Sequence, residues 1–187
     1  MRLAAEIALF TGLRRGEICG LRWEHVDLAN RVIHVVQQLQ ETEVGLQPTD
    51  VKTKGSRRSV TIPDALYATL ARIQPKEGYV LHWPDGRPVR PDWLSKAFYR
   101  EIRYVDGVPN LRFHDLRHIH ATLLLQAGVH PKMASSRLGH SRTGITLDLY
   151  SHLVRGIDQG AAAAIDHLVQ TAKETGGPTQ KKQDTEK

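Results

Sequence analysis

Apolar residues recur at helical spacing from the start of the chain. Leu3, Ile7 and Phe10 fall on one face of a helix over the first ten residues, and that face should meet a core. Thr11-Gly12 interrupts the pattern; a second short helix follows around Arg15 to Gly20, where Gly20 can end it. The period then changes. "RVIHVVQQLQ" (31–40) is rich in β-branched residues and reads as a strand, as does "RRSVTIP" (57–63). Residues 41–56 between them read as a polar, turn-rich connection, so two antiparallel strands, with room for a third, are expected. Pro63 starts a helix through "DALYATLARI", 75–91 read as loop, and a helix runs through "DWLSKAFYREIR". The next helix, "HDLRHIHATLLLQAG", closes at Gly128, and Pro131 opens a short one through "KMASSRLG". "TGITLDLYSHL" adds a helical turn or two, and "GAAAAIDHLVQTA" is the last helix. The expected class is mainly α with a small antiparallel β-sheet (α+β). It comprises one domain over 1–170 and a polar tail, 171–187, that reads as disordered.

Composition narrows the class. The 187 residues are 40% hydrophobic and 25% charged, as in a globular domain. The single cysteine, Cys19, excludes an internal disulfide and fits a reducing cytoplasm. The opening "MRLAAEIALF" reads as too short and too polar at its start for a secretory signal, and no apolar run approaches the ~20 residues that cross a bilayer. The formal charge of +6 favours a polyanionic partner such as nucleic acid.

The chemistry-bearing residues lie in four segments: "TGLRRGE" (11–17), "VKTKGSRR" (51–58), "HDLRH" (114–118) and "LGHSRTGITLDLYSH" (138–152). His114 and Arg117 share a helix face, with His118 a further step on, while Leu116, Ile119 and Leu123 form an apolar stripe. The helix start suits an anion, because free N–H groups point outward there. Arg14, at a helix start, can offer a phosphate a planar, always-charged fork, and Glu17 either holds it or caps the turn. Arg15 reads as solvent-facing. Lys52, Lys54, Arg57 and Arg58 crowd one turn, opposed only by Asp50; such side chains either reach a nucleic-acid backbone or keep a hairpin soluble. His140 follows Gly139 at a helix end, and Tyr150 lies ten residues later among Asp148, Ser151 and His152. Two arginines, two histidines, a lysine and a tyrosine supply clamps, a nucleophile and a proton donor for phosphodiester transfer, with no metal or other cofactor. A metal-dependent hydrolase fits less well. There is no HExxH and no carboxylate cluster, and Arg117 between His114 and His118 opposes a cation.

These segments resemble the tyrosine site-specific recombinases of the phage integrase group. "TGLRRGEICGLRWEHVDL" is similar to the family's first arginine motif, "HDLRHIHATLLLQAG" to its His-x-x-Arg box, and "LGHSRTGITLDLYSH" to its closing tyrosine segment. The likeness runs from about Leu3 to about His152. It implies that Arg14 and Arg117 bind the scissile phosphate. His114 would manage the tyrosine proton and orient the phosphate, and His140 would add a hydrogen bond. Lys52, with Lys54 as its rival, would protonate the departing 5′ oxygen. Glu17 would support Arg14, His118 would pack behind the site, and Lys54, Arg57 and Arg58 would contact DNA. Tyr150 would form a 3′-phosphotyrosyl link, reversed by a partner strand's hydroxyl without metal or ATP. The implied partners are double-stranded DNA and three further copies of the chain, in a tetramer on paired sites, with no membrane. Type IB topoisomerases use similar chemistry, but relaxation fits this short domain less well.

The chain begins almost at the first arginine motif. The expectation is therefore a catalytic domain without the family's N-terminal DNA-clamping domain and without its own first helix. The alternative is a non-catalytic DNA-binding remnant of an integrase from a truncated gene.

Overall fold

The computed structural model describes residues 1–51, 57–73 and 77–139. Lys52, Lys54, His140, Tyr150, the two C-terminal helical segments and the tail lie outside the described residues. Helix α1, Arg2–Thr11, ends at Gly12, whose left-handed φ of 68° a side chain would strain. A short α2, Arg15–Cys19, follows and ends at Gly20, as its sequence indicated. A 3-10 turn, Trp23–His25, leads into β1, Val26–Asp27. The remaining elements are β2 (Val32–Val35), β3 (Gln37–Thr42), β4 (Gly45–Asp50), β5 (Arg58–Thr61), α3 (Asp64–Ile73), α4 (Pro91–Ile102), α5 (Asp115–Gln126) and α6 (Pro131–Leu138). Pro91 and Pro131 both open their helices, where a missing N–H costs nothing. The described part is thus mainly helical with small antiparallel sheets, as expected.

The sheet region differs from its expectation in two ways. The run 31–40 is two strands rather than one, and 41–56 is not all connection. β2 pairs with β1 and β5 in a three-stranded sheet, whereas β3 turns back on β4 as a separate two-stranded hairpin. Ile33 lies opposite Val60 in the first sheet, and Leu39 opposite Pro48 in the second. β2 alternates as a half-buried strand should: Ile33 and Val35 are buried while His34 is exposed. β4 has no neighbour beyond β3 among the described residues, so Pro48 costs no interior ladder bond.

The core joins α1, both sheets, α3, α4 and the start of α5; Ile7, Leu13, Ile18, Ile33, Val60, Leu66 and Leu70 are almost fully buried. The buried stripe of α1 is Ala4, Ile7, Ala8 and Thr11; Leu3 and Phe10 are half-buried beside it. The small alanines let α5 pack closely on α1. Cys19 is buried, and burial pushes its thiol pKa up to about 12, so it stays protonated. Among the described residues, no helix is long and apolar enough to cross a membrane.

Candidate functional site

Arg14 is the N-cap of α2 and Glu17 its third helical residue. Glu17 does both things its position allows. Its Oε2 accepts from the Arg14 backbone N–H at 2.7 Å, which caps the helix, and its Oε1 accepts from Arg14 Nη1 at 2.9 Å. The same two oxygens accept from a second guanidinium: Arg58 Nη1 reaches Oε1 at 2.9 Å and Nη2 reaches Oε2 at 2.8 Å. The Arg58 and Glu17 side chains are only 6% and 1% exposed. This corrects the expectation that Arg58 is a DNA-contacting residue at an exposed turn. Its strand face is the one that buries Val60, and its charge is neutralised inside the domain.

Three arginines then converge on the end of α6. Arg58 Nε donates to the Arg137 carbonyl at 2.7 Å, Arg117 Nη2 to the Leu138 carbonyl at 2.7 Å, and Arg14 Nη2 to the Gly139 carbonyl at 2.6 Å. Carbonyls at a helix C-terminus have no partner within the helix, and cations are favoured there. Here each of three consecutive carbonyls takes a different guanidinium. Gly139 closes the helix with φ 67°, and a Cβ there would lie 2.9 Å from Arg58 Nη1. The contacts tie the two arginine motifs to the residue immediately before His140.

Electrostatics follow from this packing. Burial alone would push the Glu17 carboxyl up, but Arg58 foremost and then Arg14 outweigh it and hold its pKa below the usual range. Burial and the neighbouring Arg14 charge bring Arg117 down to about 9, which leaves it cationic at neutral pH. Arg117 is 4% exposed and also donates to the Gly12 carbonyl. Arg117 therefore lies on the core side of the helix: α5 buries Leu116, Arg117, His120, Ala121 and Leu125, whereas Leu123 is half-exposed. Arg14 is the more open of the pair, with 35% of its side chain exposed. It lines a cleft of about 550 Å³ together with His114, Gln38, Gln40 and Asp92. The cleft wall is braced on its rim, where Arg90, before α4, pairs with Glu41 on β3.

His114 is the N-cap of α5 and is exposed. Partial desolvation, then the neighbouring His118 and Arg117, lower its pKa. His118 does pack against it, edge to face with ring centroids 4.9 Å apart, but from an exposed position rather than from behind the site. Arg15 is half-exposed and bridges α2 to α4 through Ser95 and Asp92. Arg57 is exposed and pairs with Asp50 at 2.6 Å. Among the described residues, no cluster of three His, Cys, Asp or Glu side chains could hold a metal ion.

Two contributors escaped the sequence reading. His120 is 6% exposed; its Nδ1 lies 2.8 Å from the Leu9 carbonyl, and its Nε2 accepts from Arg137 Nε at 3.2 Å. The carbonyl requires an Nδ1–H donor, so the ring is neutral with a free Nε2 lone pair. Burial foremost, then the Arg137 charge, lowers its pKa to about 4. Arg137 goes on to the Phe10 and Thr61 carbonyls, so this pair links α1, β5, α5 and α6. Gly12 makes room for it: a Cβ there would lie 2.6 Å from His120 Cδ2. The available signal was helical spacing, since His120 lies three residues after Arg117 and four after Leu116, on their face.

Comparison with known proteins identifies the family. The chain is 31% identical to a XerC-like tyrosine recombinase of Caldanaerobacter subterraneus, over 87% of the chain and 48% of that relative. It is 29% identical to the ICEBs1 integrase of Bacillus subtilis, again over 87% of the chain and 48% of the relative. Among solved structures, the Tn1549 transposon integrase bound to transposon right-end DNA aligns with a TM-score of 0.76 and 27% identity, covering 89% of this chain and 58% of that one. XerA recombinase, at 20% identity and a TM-score of 0.65, shares the fold. The chain spans about half the length of the curated relatives it matches. Residues 1–155 match the phage integrase family, and the chain belongs to that family.

Proposed function

We propose that the chain is the catalytic part of a site-specific DNA recombinase or integrase. The observation that carries this is the arginine cluster: Arg14 opens onto a cleft shared with His114 while Glu17, Arg58 and Arg117 hold fixed charge directly beneath. Three guanidiniums against one carboxylate leave an excess of positive charge suited to a phosphodiester. Fixed charge aimed at a phosphate needs no reorganisation as negative charge develops during transfer. Arg14 binds a non-bridging oxygen from the cleft, and Arg117 adds its buried charge to the same phosphate. His114, neutral at pH 7 because its pKa lies below the ordinary histidine value, is free to accept the tyrosine proton.

In this reading Tyr150 attacks the phosphorus, giving a 3′-phosphotyrosyl bond and releasing the 5′ oxygen. Lys52 or Lys54 protonates that oxygen, and His140 adds a hydrogen bond to the phosphate. A 5′ hydroxyl from the partner strand reverses the step, so the bond energy is retained and neither ATP nor metal is consumed. Exchange of both strands requires a homotetramer on two duplex sites.

The test is a nicked suicide duplex carrying the chain's own recombination site, drawn from the DNA that borders its gene, incubated in excess chelator. The expected result is a covalent protein–DNA adduct that is absent with Tyr150→Phe. Tight binding without adduct would make the chain a DNA-binding remnant, and loss of the adduct in chelator would overturn the metal-free mechanism.

A further inference from the structure

We propose that Arg58 is a positioning residue for the phosphate-binding arginine: it fixes Glu17, and Glu17 in turn fixes the Arg14 guanidinium at the cleft. This rests on the reading of Arg14 as the phosphate clamp and names a residue on which that clamp depends.

Arg14 is one-third exposed and has many rotamers; its geometry is only as well defined as the groups that hold it. Those groups are the Glu17 carboxylate and the Gly139 carbonyl. Arg58 secures both. Its two Nη groups grip the two Glu17 oxygens, and its Nε grips the Arg137 carbonyl two residues before Gly139. Arg58 is itself anchored, because its backbone is paired with Val35 at the edge of β5 and its side chain is buried.

Charge points the same way. With Arg58 in place, Glu17 is neutralised by a buried partner, and the Arg14 charge remains for a ligand. Without Arg58, the buried Glu17 carboxylate loses the two-pronged pair that fixes its position, and with it the anchor that fixes the Arg14 guanidinium.

The experiment uses the full chain as Arg58→Lys and Arg58→Gln, with no DNA in its first arm. Lysine keeps the charge but loses the fork; glutamine loses the charge. The readout is hindered rotation of the Arg14 guanidinium by 15N NMR, its signals assigned by their loss in Arg14→Lys. Wild type should show a hindered guanidinium, and both variants a freely rotating one, with circular dichroism unchanged. In the second arm, adduct formation on the nicked duplex should fall about 100-fold, as for a catalytic group displaced by about 1 Å. Arg14 remaining hindered in a folded variant overturns the proposal, as does a freed Arg14 with an undiminished adduct rate. Failure of both variants to fold would make Arg58 a folding residue and overturn it too. If wild type forms no adduct, the proposed function fails, while the Arg14 signals still decide the role of Arg58.

Discussion

Glu17 and Arg58 form a buried, two-pronged ion pair, at 2.9 and 2.8 Å, between the first arginine motif and β5. Removing one member of such a pair leaves the other charge buried without its counter-ion. Glu17→Gln is expected to destabilise the domain by about 3–5 kcal/mol. Denaturant unfolding followed by circular dichroism measures this. A loss of only a few tenths would mean that the pair is solvated in solution.

The depressed pKa of Glu17 gives a pH dependence with a definite sign. Its stabilising contribution is fully present above the unfolded carboxylate value and is lost as pH falls through the lower folded value. His120 acts earlier in the same direction. Its folded pKa, about 4, lies below the ordinary 6.5, so the unfolded chain takes up a proton first and stability falls between about pH 6.5 and about 4. His120→Gln should flatten the thermal midpoint over that window. Equal slopes for wild type and variant would show that the buried neutral histidine is not the group titrating.

Arg57 and Arg58 are neighbours with opposite fates, and DNA binding should separate them. Arg57 is exposed and paired only with Asp50, across a surface bridge of little energetic weight. Arg57→Ala is expected to weaken binding evenly across sequences and to reduce the salt slope by about one phosphate contact, with the thermal midpoint unchanged. Fluorescence anisotropy on a generic duplex over a range of salt concentrations provides the slope. An unchanged slope would remove Arg57 from the DNA-facing surface.

Much of the helical framework was legible because its ends carry unambiguous chemistry. Pro131 marks a start, and Gly12, Gly20 and Gly139 mark ends. The β3–β4 hairpin was not legible: Leu39 is its one buried residue and its outer half is mostly exposed, so it lacks the alternation that marks a strand. Pro48 argued against it as well, although an edge strand tolerates proline. Arg14, His114 and Arg117 were legible as candidates from type and spacing, but their exposure was not. Arg117 is buried because two distant carbonyls, of Gly12 and Leu138, satisfy it, and local sequence does not reveal such partners. Arg58 did leave a trace. Period-two alternation puts it on the face of Val60, which is a core position.

Tyr150 is the proposed nucleophile that the arginine cluster serves. That role is tested most directly by locating the covalent bond. Adduct trapped on the nicked duplex is digested with nuclease and trypsin, and the peptides are sequenced by mass spectrometry. Cleavage after Arg142 and Arg155 isolates Tyr150 as the one tyrosine in its peptide. A residual nucleotide phosphate is expected on that peptide, at Tyr150. A nucleotide on the exposed Tyr99 or Tyr104, or DNA bound tightly with no modified tyrosine, would contradict it.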